Sequence, residues 1–359
     1  MKIAIFHNYM DNIGGAERVG LTLARELKAD MYSTVVNQDA INKMGFDIQV
    51  RKIGWLPINA PFRQQMALWR FRNLDLSKKY DYFIIDGDWA MSGSVSNKPN
   101  LWYVHSPIRE IWDLYEYTRK NNVRWFMRPL FDLWVMYNRY LNRNYVSHVG
   151  KIVCNSANTQ MRVKKYLKRE SVVIHPPIET GRFHHKKNGD YWLSVNRLIT
   201  HKRVDLQMRA FARMPREKLV VVGCYEKSRH FEAYADYIKR IKPHNVELLR
   251  SVSFNELVEL YANCKGFITT SHNEDFGMTP VEAMASGKPV IAPNEGGYKE
   301  TVVDGVTGKL IDDIDVDKLV GAVREIGKNP GKYKKQCLEQ ARKFDTAEFI
   351  RKMKEQIER

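Results

Sequence analysis

Ser271–Pro289, SHNEDFGMTPVEAMASGKP, lies between the apolar runs Gly266–Thr270 (GFITT) and Val290–Ala292 (VIA). Short apolar runs on either side of a helix-length segment read as two buried strands joined by a crossover, the building unit of a parallel α/β sheet. The polar run Ser271–Gly277 has loop chemistry. A helix is predicted to start at Thr279 as N-cap, with Pro280 in the first helical position and Glu282 three residues after the cap, a capping-box pattern. Gly287 is predicted to end it. The free N–H groups of such a helix start, with its dipole, form an anion site. Glu274 on the loop and Glu282 one turn into the helix can accept hydrogen bonds from sugar hydroxyls, so the segment suits a phosphorylated sugar. Glu282 also reads as a residue that only closes the capping box; Glu274 has no such structural role.

The same alternation runs outward through the 359 residues. KIAIFH, YDYFIID, NLWYVHS, KIVCNS and SVVIHPP precede YWLSVN, KLVVVG, NVELLR, GFITT and PVIAP, most separated by helix-length stretches. That is the pattern of doubly wound parallel sheets, and a chain of this length is expected to divide into two domains. Prolines, glycines and charge interrupt the periodicity in Pro176–Gly189. The reading is one domain over 1–177, a second over 178–345, and an amphipathic helix over 346–359. Ligands of open parallel sheets bind beyond the carboxyl ends of the strands. GGAER (Gly14–Arg18), His105, Arg197 and Glu274 all follow predicted strands. The glycine turn Gly14–Gly15 allows close backbone approach to a phosphate, and Arg197 with Lys202 supplies two cations able to offset a departing diphosphate. Taken singly, the glycine pair reads as a turn and the two cations as a solvated basic loop.

Glu274 and Glu282 with seven residues between them, then EAMASGKPVIA and NEGGYKETVVDGVTG (Asn294–Gly308), resemble the signature of the retaining glycosyltransferases of family 4, which include sucrose and glycogen synthases and many mannosyltransferases. GGAER, SVNRLITHKRVD, KLVVVGCY (Lys218–Tyr225) and RSVSFNELVELYANC (Arg250–Cys264) match that family in order and span nearly the whole chain. WYVHSPIREIWDLYE (Trp102–Glu116) is similar to a segment of O-antigen and archaeal-type mannosyltransferases that use GDP-mannose.

The resemblance implies a GT-B fold, two Rossmann-like domains facing across a cleft, with the C-terminal helix crossing back to the first. It implies that Arg197 and Lys202 bind the donor diphosphate together with amides at Gly14, Gly15, Phe276, Gly277, Met278 and Thr279. Glu274 would orient the donor sugar, Glu282 the ribose, and His105 the sugar's edge. Gly223 belongs to the donor side, and the backbone at Val252 and Ser253 abuts the base. Catalytic roles then fall to His105, Glu274, Arg197 and Lys202, with GDP-mannose as co-substrate and a glycan or lipid-linked acceptor. Three departures bear on the donor: Asn196 before the Arg and Arg203 after the Lys stand where glycine is common, and Ser106 replaces the usual Thr. A UDP-sugar transferase, a nucleotide-sugar 2-epimerase, a phosphorylase or synthase running on phosphate, and a non-catalytic basic membrane- or RNA-binding protein are the alternatives.

A formal charge of +17 attracts anionic partners. No nucleic-acid-reading motif accompanies it. Basic and aromatic residues concentrate in 61–73, PFRQQMALWRFRN, and in 119–145, RKNNVRWFMRPLFDLWVMYNRYLNRNY. Each reads either as an interfacial helix for an anionic membrane or as a core helix with wet arginines. Asp86-Gly87-Asp88 spells the metal-holding DxD of another glycosyltransferase fold but reads here as a polar strand end, so no obligatory metal is expected. Cys154, Cys224, Cys264 and Cys337 form no CxxC pair, which points to neither zinc nor a disulfide framework. With no signal-peptide pattern and no run of eighteen apolar residues, the expectation is a cytoplasmic protein, soluble or peripheral at the membrane.

Overall fold

The computed structural model describes residues 1–12, 14–57, 60–224, 229–250 and 252–358. Tyr225 of KLVVVGCY, Ser251 of RSVSFNELVELYANC and the side chain of Cys224 lie outside the described set. Two compact units form, Met1–His175 with Phe349–Arg359, and Pro176–Glu348.

The first unit is built on β1 (Ile3–His7), β2 (Asp30–Ser33), β3 (Val50–Lys52), β4 (Tyr82–Asp86), β5 (Asn100–Val104), β6 (Lys151–Cys154) and β7 (Val172–Val173). Their spatial order is β3-β2-β1-β4-β5-β6-β7, all parallel. Every residue of β1, β4 and β5 is buried. Continuous apolar runs of this kind are what a sheet covered on both faces requires. The second unit holds β8 (Tyr191–Arg197), β9 (Lys218–Cys224), β10 (Val246–Leu249), β11 (Gly266–Ile268), β12 (Val290–Pro293) and β13 (Gly308–Ile311), ordered β10-β9-β8-β11-β12-β13 and again parallel.

Strand order reverses between β1 and β4 in one sheet and between β8 and β11 in the other. In open α/β sheets the crevice beyond such a reversal is where ligands bind. The Thr346–Glu358 helix ends in the first unit: Phe349 packs edge-on against Tyr103, and Lys151 Nζ donates to Gln356 O at 2.6 Å.

Candidate functional site

In the second unit, two loops leave the reversal point. The loop after β8 carries Lys202 at the end of a short 3-10 turn, Thr200–Lys202, and the loop after β11 carries Glu274. Lys202 Nζ donates to Glu274 Oε2 at 2.5 Å. Neither side chain is more than a fifth exposed, at 13% and 19%. Burial would raise the Glu274 pKa, but the Lys202 ammonium outweighs it and holds the carboxyl well below its ordinary range. Thr270 ties the loops together: its hydroxyl lies 2.8 Å from Lys202 O and receives Gln207 Nε2 at 2.9 Å. Gly297 N donates to Glu274 O at 2.8 Å, so the glycine pair of NEGG braces the carboxylate's own backbone.

Arg203 explains one departure from the family pattern. Its φ is +48°, the left-handed region that glycine enters freely. The arginine is held there by its guanidinium, which donates to Thr270 O at 2.7 Å and pairs with Glu295. Asn196, the other departure on this loop, donates to Ser194 Oγ at 2.6 Å. Arg197 is the last residue of β8 and is exposed.

The predicted capping box at Thr279 and Glu282 is not formed. The helix spans Met278–Ala285, and its N-cap is Gly277, at φ +91° with no side-chain cap. Glycine's tolerance of left-handed backbone lets the helix start two residues earlier, leaving Thr279 inside the first turn. Glu282 is 4% exposed and accepts from Tyr261 Oη at 2.9 Å. A capping box exists elsewhere: Ser253 caps the Phe254–Asn263 helix, with Glu256 N donating to its hydroxyl at 3.2 Å and Glu256 Oε2 receiving Ser253 N at 2.7 Å. Val252 precedes this cap, and Gly223 lies in β9, where a Cβ would come within 2.9 Å of Leu198 Cγ. Phe276 is buried at 2%.

In the first unit, Gly14 is the N-cap and Gly15 the first residue of the Gly15–Leu27 helix. His105 follows β5, with its carbonyl accepting from Asn155 Nδ2 at 2.8 Å. Its Nε2 lies 2.7 Å from Asp86 Oδ1, and His7 Nδ1 lies 2.9 Å from Asp86 Oδ2. Asp86 is therefore more than a polar strand end, because it bridges two histidines. His7 was not anticipated from the sequence, nor was the contact of Tyr261 with Glu282. The available signal for His7 and Asp86 was that each closes an apolar strand at its carboxyl end. Burial would raise the Asp86 pKa, yet His105 and His7 together hold it below its ordinary value. Burial pulls His7 down, and its bond to Asp86 brings it net above 6.5. Among the described residues no group of three or more His, Cys, Asp or Glu is arranged to hold a metal ion. Cys154, Cys264 and Cys337 are buried and free.

Residues 13–182 match the family model described as Glycosyltransferase Family 4, and residues 177–344 the model described as Glycosyl transferases group 1. The chain belongs to the family 4 glycosyltransferases. Its fold is GT-B. Superposition on the crystal structure of HepE from Anabaena in complex with UDP and glucose gives a TM-score of 0.78 at 17% identity, covering 100% of this chain and 99% of that one. Sucrose-phosphate synthase from Thermosynechococcus elongatus gives 0.78 at 16% identity, covering 99% and 98%. In sequence, this glycosyltransferase is 27% identical to the alpha-1,3/1,6-mannosyltransferase ALG2 of Candida glabrata over 84% of its own length and 78% of that protein's. It is 27% identical to ALG2 of Dictyostelium discoideum over 86% of each.

Proposed function

We propose that this glycosyltransferase moves mannose from GDP-mannose, with retention at the anomeric carbon, to a glycan or lipid-linked acceptor in cell-surface polysaccharide or glycoconjugate synthesis. The observation that carries the reading is the Lys202–Glu274 pair beyond the strand reversal of the second sheet. A carboxylate kept ionised by an ammonium accepts hydrogen bonds from sugar hydroxyls, while the ammonium and the neighbouring Arg197 answer the charge of a diphosphate.

In this reading residues 178–345 bind the donor, and residues 1–177 with 346–359 serve the acceptor. The bond from the anomeric carbon to the phosphate oxygen breaks as the acceptor oxygen attacks on the same face, and the leaving phosphate takes the acceptor's proton. Arg197, Lys202 and the amides at Gly14–Gly15 and Phe276–Thr279 stabilise the developing diphosphate, which is the largest charge to be answered. Glu274 orients the sugar, His105 meets its edge, and Glu282 serves the ribose. Gly223, Val252 and Ser253 lie on the base side. No obligatory metal is assigned, since the two cations supply the positive charge; transfer that persists in excess EDTA supports this, and transfer abolished by EDTA overturns it.

Mannose is supported by the names of the two ALG2 relatives. A UDP-sugar donor is the second reading, favoured by the UDP and glucose of the HepE complex. A thermal-shift screen decides: GDP and GDP-mannose are expected to raise Tm in proportion to RT ln(1 + [L]/Kd), and less so in Lys202→Ala. Stabilisation by UDP compounds alone overturns the donor, and no shift with any nucleotide overturns the transferase reading.

The acceptor's lipid character is supported by the Arg128–Val146 helix and the short 3-10 turn before it, Trp125–Met127. Val135, Asn138, Asn142 and Val146 of this helix are buried. Phe126, Leu130, Leu133, Tyr137 and Tyr140, spaced by three or four residues, form an exposed stripe, and Trp125 beside it is 78% exposed. The Phe62–Arg72 helix, joined to it by Gln65 Nε2→Asn138 Oδ1 at 2.8 Å, exposes Phe62 and Trp69. Exposed Arg124 and Arg143 add positive charge. Apolar and aromatic side chains rimmed by arginine fit the cytoplasmic face of an anionic bilayer. Among the described residues no helix is long and apolar enough to cross one. Co-sedimentation with phosphatidylglycerol vesicles, lost in Leu133→Glu/Tyr137→Glu, is the expected result; binding to single-stranded RNA in place of vesicles overturns it.

A further inference from the structure

The cluster formed by His7, Asp86 and His105 has a chemistry of its own. His7 ends β1 and Asp86 ends β4, and the two are register partners at the strand reversal of the first sheet. Asp86 is 0% exposed and His7 4%, whereas the His105 side chain is 22% exposed, so only His105 of the three reaches solvent to any extent. An ionised carboxylate accepts and never donates. Both ring nitrogens facing it therefore carry hydrogen: Nδ1 of His7 at 2.9 Å and Nε2 of His105 at 2.7 Å. The lone pair of a neutral His105 is left on Nδ1.

The arrangement is braced from several sides. The His105 carbonyl receives Asn155 Nδ2 at 2.8 Å and Thr159 Oγ1 at 3.3 Å, and Tyr103 meets the imidazole edge-on with centroids 5.3 Å apart. Behind the carboxylate stands Gly20 of the Gly15–Leu27 helix, where a Cβ would lie 2.3 Å from Asp86 Oδ2. Only glycine permits this approach, so the helix that opens with the Gly14–Gly15 turn also seats the carboxylate. Titratable groups that face the cluster include Glu17 from that helix, toward His7, and Tyr103 from β5, toward Asp86.

We propose that Asp86 is a positioning residue: it locks His105 as the Nε2–H tautomer, so that Nδ1 offers a lone pair to a hydroxyl of the donor sugar, while His7 compensates the buried carboxylate from the other side. This rests on the assignment of His105 to the donor sugar. It makes His105 a hydrogen-bond acceptor, and it leaves His105 no part as a proton donor in the transfer.

The first test reads the wild-type ring directly and needs no turnover. Imidazole ¹⁵N NMR of the full-length wild-type chain at pH 7, with His105→Gln used to assign the signals, is expected to show His105 protonated at Nε2 and bare at Nδ1. An Nδ1–H tautomer or a doubly protonated ring overturns the proposal. Kinetics with GDP-mannose then separate positioning from structure. Asp86→Asn is expected to lower kcat roughly 10²-fold with donor KM little changed, to leave the thermal shift by GDP intact because GDP lacks the transferred hexose, and to add nothing in the His105→Ala background. An undiminished effect of Asp86→Asn in that background overturns the proposal. Failure of every donor to turn over, with the predicted tautomer present, counts against the mannosyltransferase reading alone.

Discussion

Each sheet ends, at its strand reversal, in a carboxylate gripped by nitrogen bases, and the two grips differ in kind. Asp86 sits at the end of a strand, sealed from solvent between two imidazoles. Glu274 sits on a loop, partly exposed, against the Lys202 ammonium. Parallel-sheet register fixes His7 beside Asp86. Side-chain and backbone bonds between loops, among them Thr270 Oγ1 to Lys202 O and His272 N to His201 O, fix Lys202 beside Glu274. A strand-end pair is suited to holding one geometry and one tautomer. A loop-borne ion pair is suited to answering a charged ligand, because its ammonium can turn from the carboxylate toward a phosphate.

The comparison breaks most readily at Lys202. Lys202→Ala is expected to lower turnover roughly 10²- to 10³-fold, the scale of losing one preorganised donor to a developing negative charge. It also strands Glu274, and Glu274→Gln in that background is expected to recover stability without recovering activity. Recovery of both would mean that Lys202 only neutralises Glu274. Next in size is Gly20→Ala. The added methyl would meet Asp86 Oδ2 at 2.3 Å and Met31 Cε at 2.8 Å, and overpacking of that kind costs about 1–3 kcal/mol. Denaturant unfolding is expected to show the loss, and His105 NMR to show the tautomer disturbed. An unchanged tautomer would mean that the helix behind Asp86 has no say in its position.

Acidity sharpens the contrast with smaller effects. Glu274, held below its ordinary 4.5, contributes stability above that pH, and the contribution fades as pH falls toward its folded value. His7, raised above 6.5, contributes below that pH and loses its contribution as pH rises through its folded value. A Tm profile from acid to mild alkali is expected to lose its alkaline slope in His7→Gln and to keep its acid slope. The reverse assignment would show that the two carboxylates had been paired with the wrong edges.

The two edges were unequally legible in the sequence. Glu274 stood out as a candidate because a loop carboxylate with no capping role has few structural uses, whereas Arg197 and Lys202 read singly as a solvated basic loop and became candidates through the family resemblance. The strands that seat them were legible from apolar runs. DMYS of β2 and VRK of β3 were not, being short and mixed in polarity, and GKLI of β13 gave no more than two apolar residues in sequence. Asp86 was seen only as part of DGD, since pairing with His7 and His105 depends on which strands become neighbours, and local pattern does not encode that. The misplaced capping box had a related cause. Thr279, Pro280 and Glu282 satisfy every local rule, and what overrode them was a left-handed glycine at 277 together with Tyr261, a partner from another helix.

That partner supplies the smallest effect. Tyr261 is fully buried and edges Phe183, with its hydroxyl on Glu282 Oε2. Tyr261→Phe keeps the ring and its packing and removes one hydrogen bond, so the stability loss is expected to be about 1 kcal/mol. If Glu282 also holds the ribose, the freed carboxylate oxygen loses its orientation, and the thermal shift produced by GDP falls with it. A GDP shift equal to that of the wild type, with the same stability loss, would leave Glu282 a buried structural carboxylate. The donor grip would then rest on the loop-borne pair, Lys202 and Glu274, with Arg197 at the end of the strand before it.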